Sequence, residues 1–180
     1  MELTVKNIFL IGMMGSGKTS AGRLLASSIH WQFVDLDAEI ERPGGKTVDR
    51  IFHEDGEAYF RELEADRLRQ IAAGRRQVIA TGGGAVLLPE NRRLIGAGGV
   101  AILLRTAAVT LIDRVGDGSS RPLLNGEQDK SATLCNIWEE RENYYRELAA
   151  FTVDTDELTA AEVAEQVASW LKENYGNNLS

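Results

Sequence analysis

Eight residues carry the strongest chemical signal in the sequence. Gly12-Met13-Met14-Gly15-Ser16-Gly17-Lys18-Thr19 sets two glycines five apart and follows them with a lysine and a hydroxyl residue. Glycines at these positions let successive backbone N–H groups turn inward around a phosphate. A helix opening at Lys18 adds the positive end of its dipole. Lys18 is then placed to reach the β- and γ-phosphates of a nucleoside triphosphate, and the Thr19 hydroxyl to face Mg²⁺. A bland reading, a tight glycine turn with a surface lysine, would not require the strand before and the helix after that the sequence also predicts.

Two carboxylates come next, in Phe33-Val34-Asp35-Leu36-Asp37. Period two directs both to one side of a strand's carboxyl end. One carboxylate near a metal and one near an acceptor hydroxyl is what phosphoryl transfer needs. A second reading has Asp37 simply capping a helix that begins near Ala38. Further along, Arg61 and Glu64 share a helix face and can pair, either within a site or as an exposed ion pair of little worth. Thr81-Gly82-Gly83-Gly84 ends a strand with more glycine than a turn requires, so backbone N–H groups there can approach a ligand closely; a merely flexible turn is the alternative. Arg121, in the glycine-rich stretch 116–130, could close over a nucleotide. Arg141 stands among acids in Trp138-Glu139-Glu140-Arg141-Glu142 and reads by spacing alone as part of a solvated helix face.

These residues need a scaffold. Five short apolar runs, Asn7–Ile11, Gln32–Leu36, Val78–Thr81, Val100–Arg105 and Phe151–Asp154, are continuously apolar, as in strands covered on both faces. Helices are predicted over Lys18–Ile29, Glu57–Ala73, Thr106–Val115, Ser131–Ala149 and Thr159–Tyr175. The alternation predicts an α/β fold with a parallel sheet, and ligands in such folds bind beyond the carboxyl ends of the strands. Residues 38–60 are too long for a simple crossover and read as a small helical insertion, while 116–130 read as a surface loop.

Composition bounds the partners. The chain has 180 residues, 43% hydrophobic, with a net charge of −7. That length suits one domain burying about 70% of its unfolded surface. The negative charge argues against nucleic-acid and anionic-membrane binding, though not against a small anion in a locally basic pocket. No apolar run approaches the roughly 18 residues of a membrane span. Ile8–Met14 reads as a buried strand rather than a signal peptide, since it has one Lys before it, a glycine-rich loop inside it and no small-residue cleavage pattern after it. The single cysteine, Cys135, excludes an intrachain disulfide and reads as a small buried hydrophobe in a cytoplasmic protein.

Taken together, the phosphate loop at 12–19, Asp35-Leu36-Asp37, Gly56-Glu57 leading to Phe60-Arg61 and Glu64, Thr81–Gly84, Arg121-Pro122-Leu123-Leu124, and Arg141 with the tyrosines after it resemble the shikimate kinases in order and spacing, from about residue 6 to about residue 172. The resemblance implies a three-layer α/β/α fold of the nucleoside-monophosphate-kinase type with a five-stranded parallel sheet. Its core would be 1–37, 62–115 and 131–180, with an acceptor-binding insertion at about 38–61 and a lid at about 116–130. It implies Mg²⁺-dependent transfer of the ATP γ-phosphoryl group to the 3-hydroxyl of shikimate, a step towards chorismate and aromatic amino acids, by a monomer. By the same resemblance ATP contacts Gly12, Gly15, Ser16, Gly17, Lys18, Thr19, Ser20 and Arg121, with Arg114 flanking adenine. Asp37 contacts the acceptor hydroxyls, Gly82, Gly83 and Gly84 line the acceptor, and Arg61 and Arg141 hold its carboxylate. Asp35 lies near the metal through water, beside Thr19. Lys18, Asp37 and Arg121 form the catalytic set. In one place the chain departs from the family: the loop after the last strand, Asp154-Thr155-Asp156-Glu157, is acidic and lacks the proline usual beside adenine.

Two other readings compete. A gluconate or nucleoside-monophosphate kinase shares the build, but two arginines suited to one carboxylate favour a hydroxylated acid. A GTP-dependent switch needs an Asn-Lys-x-Asp motif, and the chain has no Asn-Lys pair. Its Asp113-Arg114-Val115-Gly116 match falls at a helix end rather than beside the phosphate loop.

Overall fold

The computed structural model describes residues 5–115 and 129–176. Arg121 and nearly all of the predicted lid lie outside them. Five parallel strands form one sheet in the order β2-β3-β1-β4-β5. They are β1 (Asn7–Ile11), β2 (Gln32–Asp35), β3 (Gln77–Ala80), β4 (Val100–Arg105) and β5 (Ala149–Asp154). Between them run α1 (Lys18–Ser28), α2 (Leu36–Gly44), α3 (Val48–Glu54), α4 (Glu57–Ala72), α5 (Pro89–Gly98), α6 (Ala108–Val115), α7 (Lys130–Leu148) and α8 (Ala160–Tyr175). The α/β class and the strand assignments thus follow the expectation, and 38–60 is helical as predicted. Among the described residues no helix is long and apolar enough to cross a membrane.

Two apolar cores explain the layering. Phe9, Ile11, Val34, Ile79 and Leu103 point to one face of the sheet and meet Leu68, Ile95, Leu134 and Tyr145 from α4, α5 and α7. Ile8, Leu10, Val78, Ile102 and Val153 point to the other and meet Leu25, Val163, Val167 and Leu171 from α1 and α8. Burying one such Leu or Ile contributes about 1.5–3 kcal/mol. The central strands β1 and β4 are buried almost throughout, but edge strand β5 alternates, with Thr152 and Asp154 exposed. An edge strand is only partly covered by helices, which explains the difference from an all-buried reading.

Local chemistry sets the helix starts. Thr159 and Glu162 form a reciprocal capping box on α8, and Asp129 and Thr47 cap α7 and α3. Helix α5 and the 3₁₀ turn Ala85–Leu87 before it are absent from the sequence reading. Glycines at 96 and 98 weaken the helical pattern, and Pro89 at the first turn was the available signal. Cys135 is exposed on α7, which corrects the expectation of a buried thiol.

Asn7 holds the end of the sheet opposite the site. Its fully buried side chain donates to the carbonyls of Ala72, Gly74 and Gly98 and accepts from the Gln77 N–H. Replacing it leaves several buried groups unpaired, each worth roughly 1–3 kcal/mol. Asn7→Leu should lower unfolding free energy by about 2–4 kcal/mol in urea titrations while leaving the Michaelis constants of the folded protein unchanged.

Candidate active site

The site lies where β1, β2 and β3 end. After β1 the chain turns to β2 at one edge of the sheet, while β4 lies on the other side of β1. The carboxyl ends of β1 and its neighbours therefore open a crevice at this reversal. A cavity of about 430 Å³ occupies it, lined by residues 14–21, Asp35, Asp37, Ala80–Gly83, Arg114 and Thr155.

The phosphate loop forms its floor. Gly17 caps α1 at φ 90°, a left-handed conformation that favours glycine, so the first N–H groups of α1 face the cavity without a side-chain cap. Lys18 is 8% exposed, and its ammonium donates to the carbonyls of Gly12 (2.9 Å) and Met13 (2.6 Å). The loop is thus tied by the cation that the sequence pattern assigns to the phosphates. Thr19 and Ser20 follow at the exposed start of α1.

Asp35 and Asp37 are not a strand pair. The strand ends at Asp35, which is the N-cap of α2 and accepts from the N–H groups of Asp37 and Ala38 through Oδ1. Its Oδ2 accepts from the Thr19 hydroxyl at 2.7 Å. Asp37 lies in the first turn of α2, so Asp35, not Asp37, is the capping residue. The sequence reading erred because apolar Leu36 looked like a continuation of the strand, whereas it is the first helical residue. The correction separates the two carboxylates: Asp35 is committed to the loop and the helix, while Asp37 faces the glycine turn. The oxygen pair of Thr19 and Asp35 suits a hard cation such as Mg²⁺, which takes one or two protein oxygens and completes its shell with phosphate and water.

Arg61 and Arg141 are both withdrawn from solvent, contrary to the bland readings of each. Arg61 donates to Glu57 at 3.0 Å and to Glu64 at 2.9 Å. Burial disfavours its charge, but Glu64 and Glu57 more than offset that and raise its pKa above the ordinary value. Glu64 itself is 0% exposed, and burial raises its carboxyl pKa although Arg61 opposes the shift. Its Oε1 is buried without a hydrogen bond. Arg141 is 3% exposed, and its Nε and one terminal nitrogen are buried without a hydrogen-bond partner. Asp37, Arg61 and Arg141 all lie within electrostatic reach of Glu64, so the structure gathers these four charges into one cluster. Glu64 is the member that the sequence reading treated only as a partner of Arg61. Acids at both i−4 and i+3 of one arginine were the signal.

The glycine triplet explains how they fit. A Cβ on Gly82 would lie 2.7 Å from Glu64 Oε1 and 3.1 Å from Asp37 Oδ1. One on Gly83 would lie 3.2 Å from the Met14 N–H nitrogen of the phosphate loop, and one on Gly84 only 2.3 Å from the Arg61 guanidinium. Each glycine makes room for a different functional group. Tyr145 pins the turn from behind by donating its hydroxyl proton to the Gly83 carbonyl. At the far end of the cavity, Arg114 donates to the hydroxyl and carbonyl of Thr155 and to the Asp156 carbonyl, in the loop that departs from the family pattern.

The family model described as shikimate kinase matches residues 14–172. A shikimate kinase of Moorella thermoacetica is 42% identical over 166 residues, 92% of this chain and 94% of that one. One from Pelotomaculum thermopropionicum is 42% identical over 170 residues, 94% and 98% of the two chains. The structure of shikimate kinase from Acinetobacter baumannii in complex with shikimate superposes with a TM-score of 0.92 at 34% identity, covering 95% of each chain. A gluconokinase from Sinorhizobium meliloti, at 21% identity and a TM-score of 0.63, shares the fold alone.

Gly84 has φ −95°, which any residue adopts, so its constraint is purely steric. Gly84→Ala should therefore displace Arg61. The expected result in steady-state kinetics is an acceptor KM raised about tenfold or more with the nucleotide KM within twofold.

Proposed function

The chain belongs to the shikimate kinase family, ATP-dependent phosphotransferases, and from that premise we propose how its own residues carry out Mg²⁺-dependent transfer of the ATP γ-phosphoryl group to the 3-hydroxyl of shikimate. The observation that carries this reading is the convergence of Asp37, Arg61, Glu64 and Arg141 on a glycine turn that abuts the phosphate loop. An acceptor with one carboxylate and a row of hydroxyls presents the complementary pattern.

The backbone N–H groups of Gly15, Ser16 and Gly17 and the amino end of α1 bind the triphosphate, with Gly12 starting the turn and Ser20 on its rim. Lys18 leaves its loop carbonyls and moves to the β- and γ-phosphates, exchanging two neutral acceptors for anionic ones. Thr19 and Asp35 would hold Mg²⁺, whose chemistry is to neutralise phosphate charge as it develops. Arg61 and Arg141 hold the acceptor carboxylate, where a guanidinium's planar fork matches two oxygens. Gly82, Gly83 and Gly84 let the acceptor ring approach the backbone. Asp37 orients the attacking hydroxyl and accepts its proton. Arg121, outside the described residues, closes on the phosphates from the lid at about 116–130, and the insertion at about 38–61 forms the acceptor lobe. Arg114 and the Thr155 loop flank the nucleotide base. The chain acts as a cytoplasmic monomer on small molecules, with neither nucleic acid nor membrane as partner; its net charge of −7 supports the last point.

A panel of acceptors with ATP and Mg²⁺, read by coupled ADP release, tests the assignment. Shikimate should turn over, and gluconate and nucleoside monophosphates should not; turnover of either in place of shikimate would refute it. Lys18→Met should cost at least about 10²–10³-fold in kcat with the unfolding transition intact. Arg61→Ala or Arg141→Ala should raise the shikimate KM about 10–100-fold, far more than the ATP KM. Equal loss of both affinities would mark the arginines as structural.

A further inference from the structure

Arg61 and Arg141 are held by different chemistry. Two carboxylates grip Arg61. The buried neighbour of Arg141 is instead Tyr145, one helical turn further along the same face of α7, close enough for the guanidinium and the phenol oxygen to act on each other. A carboxylate partner neutralises an arginine as it orients it. A phenol can orient it without adding a charge of its own, which leaves the nearby Glu64 carboxylate to offset the guanidinium before an anion arrives.

The same hydroxyl donates to the Gly83 carbonyl at 2.5 Å. The hydroxyl's proton is therefore committed to the turn, which leaves its oxygen lone pairs for the guanidinium beside it. The ring is 0% exposed and stacks on Trp138 with centroids 5.8 Å apart. Phenylalanine would fill that volume equally well, so packing alone does not account for the oxygen. Burying a hydroxyl is unfavourable unless its hydrogen bonds are made. Burial also pushes the phenol's pKa up to about 12, so the group keeps its proton over the working pH range.

The turn it grips has little freedom elsewhere. The position of a Gly83 Cβ is 3.2 Å from the phosphate-loop backbone, and that of a Gly84 Cβ is 2.3 Å from Arg61. In a trans peptide the Gly83 carbonyl and the Gly84 N–H point in opposite directions, so fixing the carbonyl on α7 fixes the N–H away from it. Rotation of that peptide would disturb the acceptor side of the turn before anything else.

We propose that Tyr145 is a positioning residue for acceptor binding: its hydroxyl ties the Arg141 guanidinium to the Gly83 carbonyl, holding the charge that receives the carboxylate and the turn beneath the acceptor in one relative geometry. This rests on the assignment of Arg141 to the acceptor carboxylate. The proposed nucleotide contacts come from the phosphate loop, to which neither Tyr145 nor Arg141 belongs.

Tyr145→Phe removes one oxygen and keeps the ring. The expected result is a shikimate KM raised about tenfold, a kcat within about threefold and an ATP KM within twofold. Trp138→Phe thins the same packing without touching the hydroxyl, and should lower the melting temperature while leaving the shikimate KM within twofold. All variants are assayed well below their own melting temperatures. A Tyr145→Phe enzyme with unchanged shikimate KM, or with both KM values raised alike, overturns the proposal. So does a Trp138→Phe enzyme that reproduces the KM change, since packing would then be the cause. Arg141→Ala separates the two levels of inference. If it raises the shikimate KM while Tyr145→Phe does not, the tie is refuted and the arginine's assignment stands; if it leaves that KM unchanged, the assignment itself fails.

Discussion

Three residues without side chains at the end of β3 decide what can stand in this site. Gly82 admits Glu64 and Asp37, Gly84 admits the Arg61 guanidinium, and Gly83 lets the turn sit against the phosphate loop. Four charged groups from three helices, α2, α4 and α7, thereby come within electrostatic reach of one another. A side chain at Gly82 or Gly84 would push one of them out, and one at Gly83 would lift the turn off the phosphate loop. The constraint is steric: the charged cluster stands directly against the backbone of the phosphate loop, and in the proposed function that puts acceptor recognition beside the triphosphate with no spacer between.

The sheet supplies the rigidity that this arrangement needs. Phosphate loop and glycine turn leave adjacent parallel strands, β1 and β3, and Thr81 fastens the second to the first through both its N–H and its hydroxyl on the Leu10 carbonyl. Asp35 adds a third strand, since one carboxylate caps α2 and accepts from Thr19. The electrostatics is local in the same sense. The whole chain is acidic, yet Lys18, Arg61 and Arg141 are all buried or nearly so around one crevice, where screening by water is weak. In the proposed function an anionic acceptor meets that local field rather than the net charge.

The phosphate loop was fully legible in the sequence because it depends on residue types and spacing in one contiguous stretch. The central strands were legible because burial on both faces leaves unbroken apolar runs. The end of β2 was misread because Leu36 is apolar in either state, and only the cap geometry of Asp35 distinguishes helix from strand there. Helix α5 was missed where glycines dilute its periodicity. The burial of Arg141 was invisible for a different reason. Its neighbours Glu139, Glu140 and Glu142 describe a solvated face, and only the packing of α7 on the β3 turn turns that one residue inward. The resemblance supplied the role proposed for it, and tertiary structure supplied the phenol and the carboxylate near it. The predicted lid and Arg121 lie outside the described residues.

The most direct test of this arrangement is a crystal structure of the protein with shikimate and a non-hydrolysable ATP analogue. The account predicts the shikimate carboxylate on Arg61 and Arg141, the ring over Gly82–Gly84, and the 3-hydroxyl between Asp37 and the γ-phosphate. A shikimate carboxylate bound away from both arginines, or a 3-hydroxyl facing away from the phosphate loop, would contradict it.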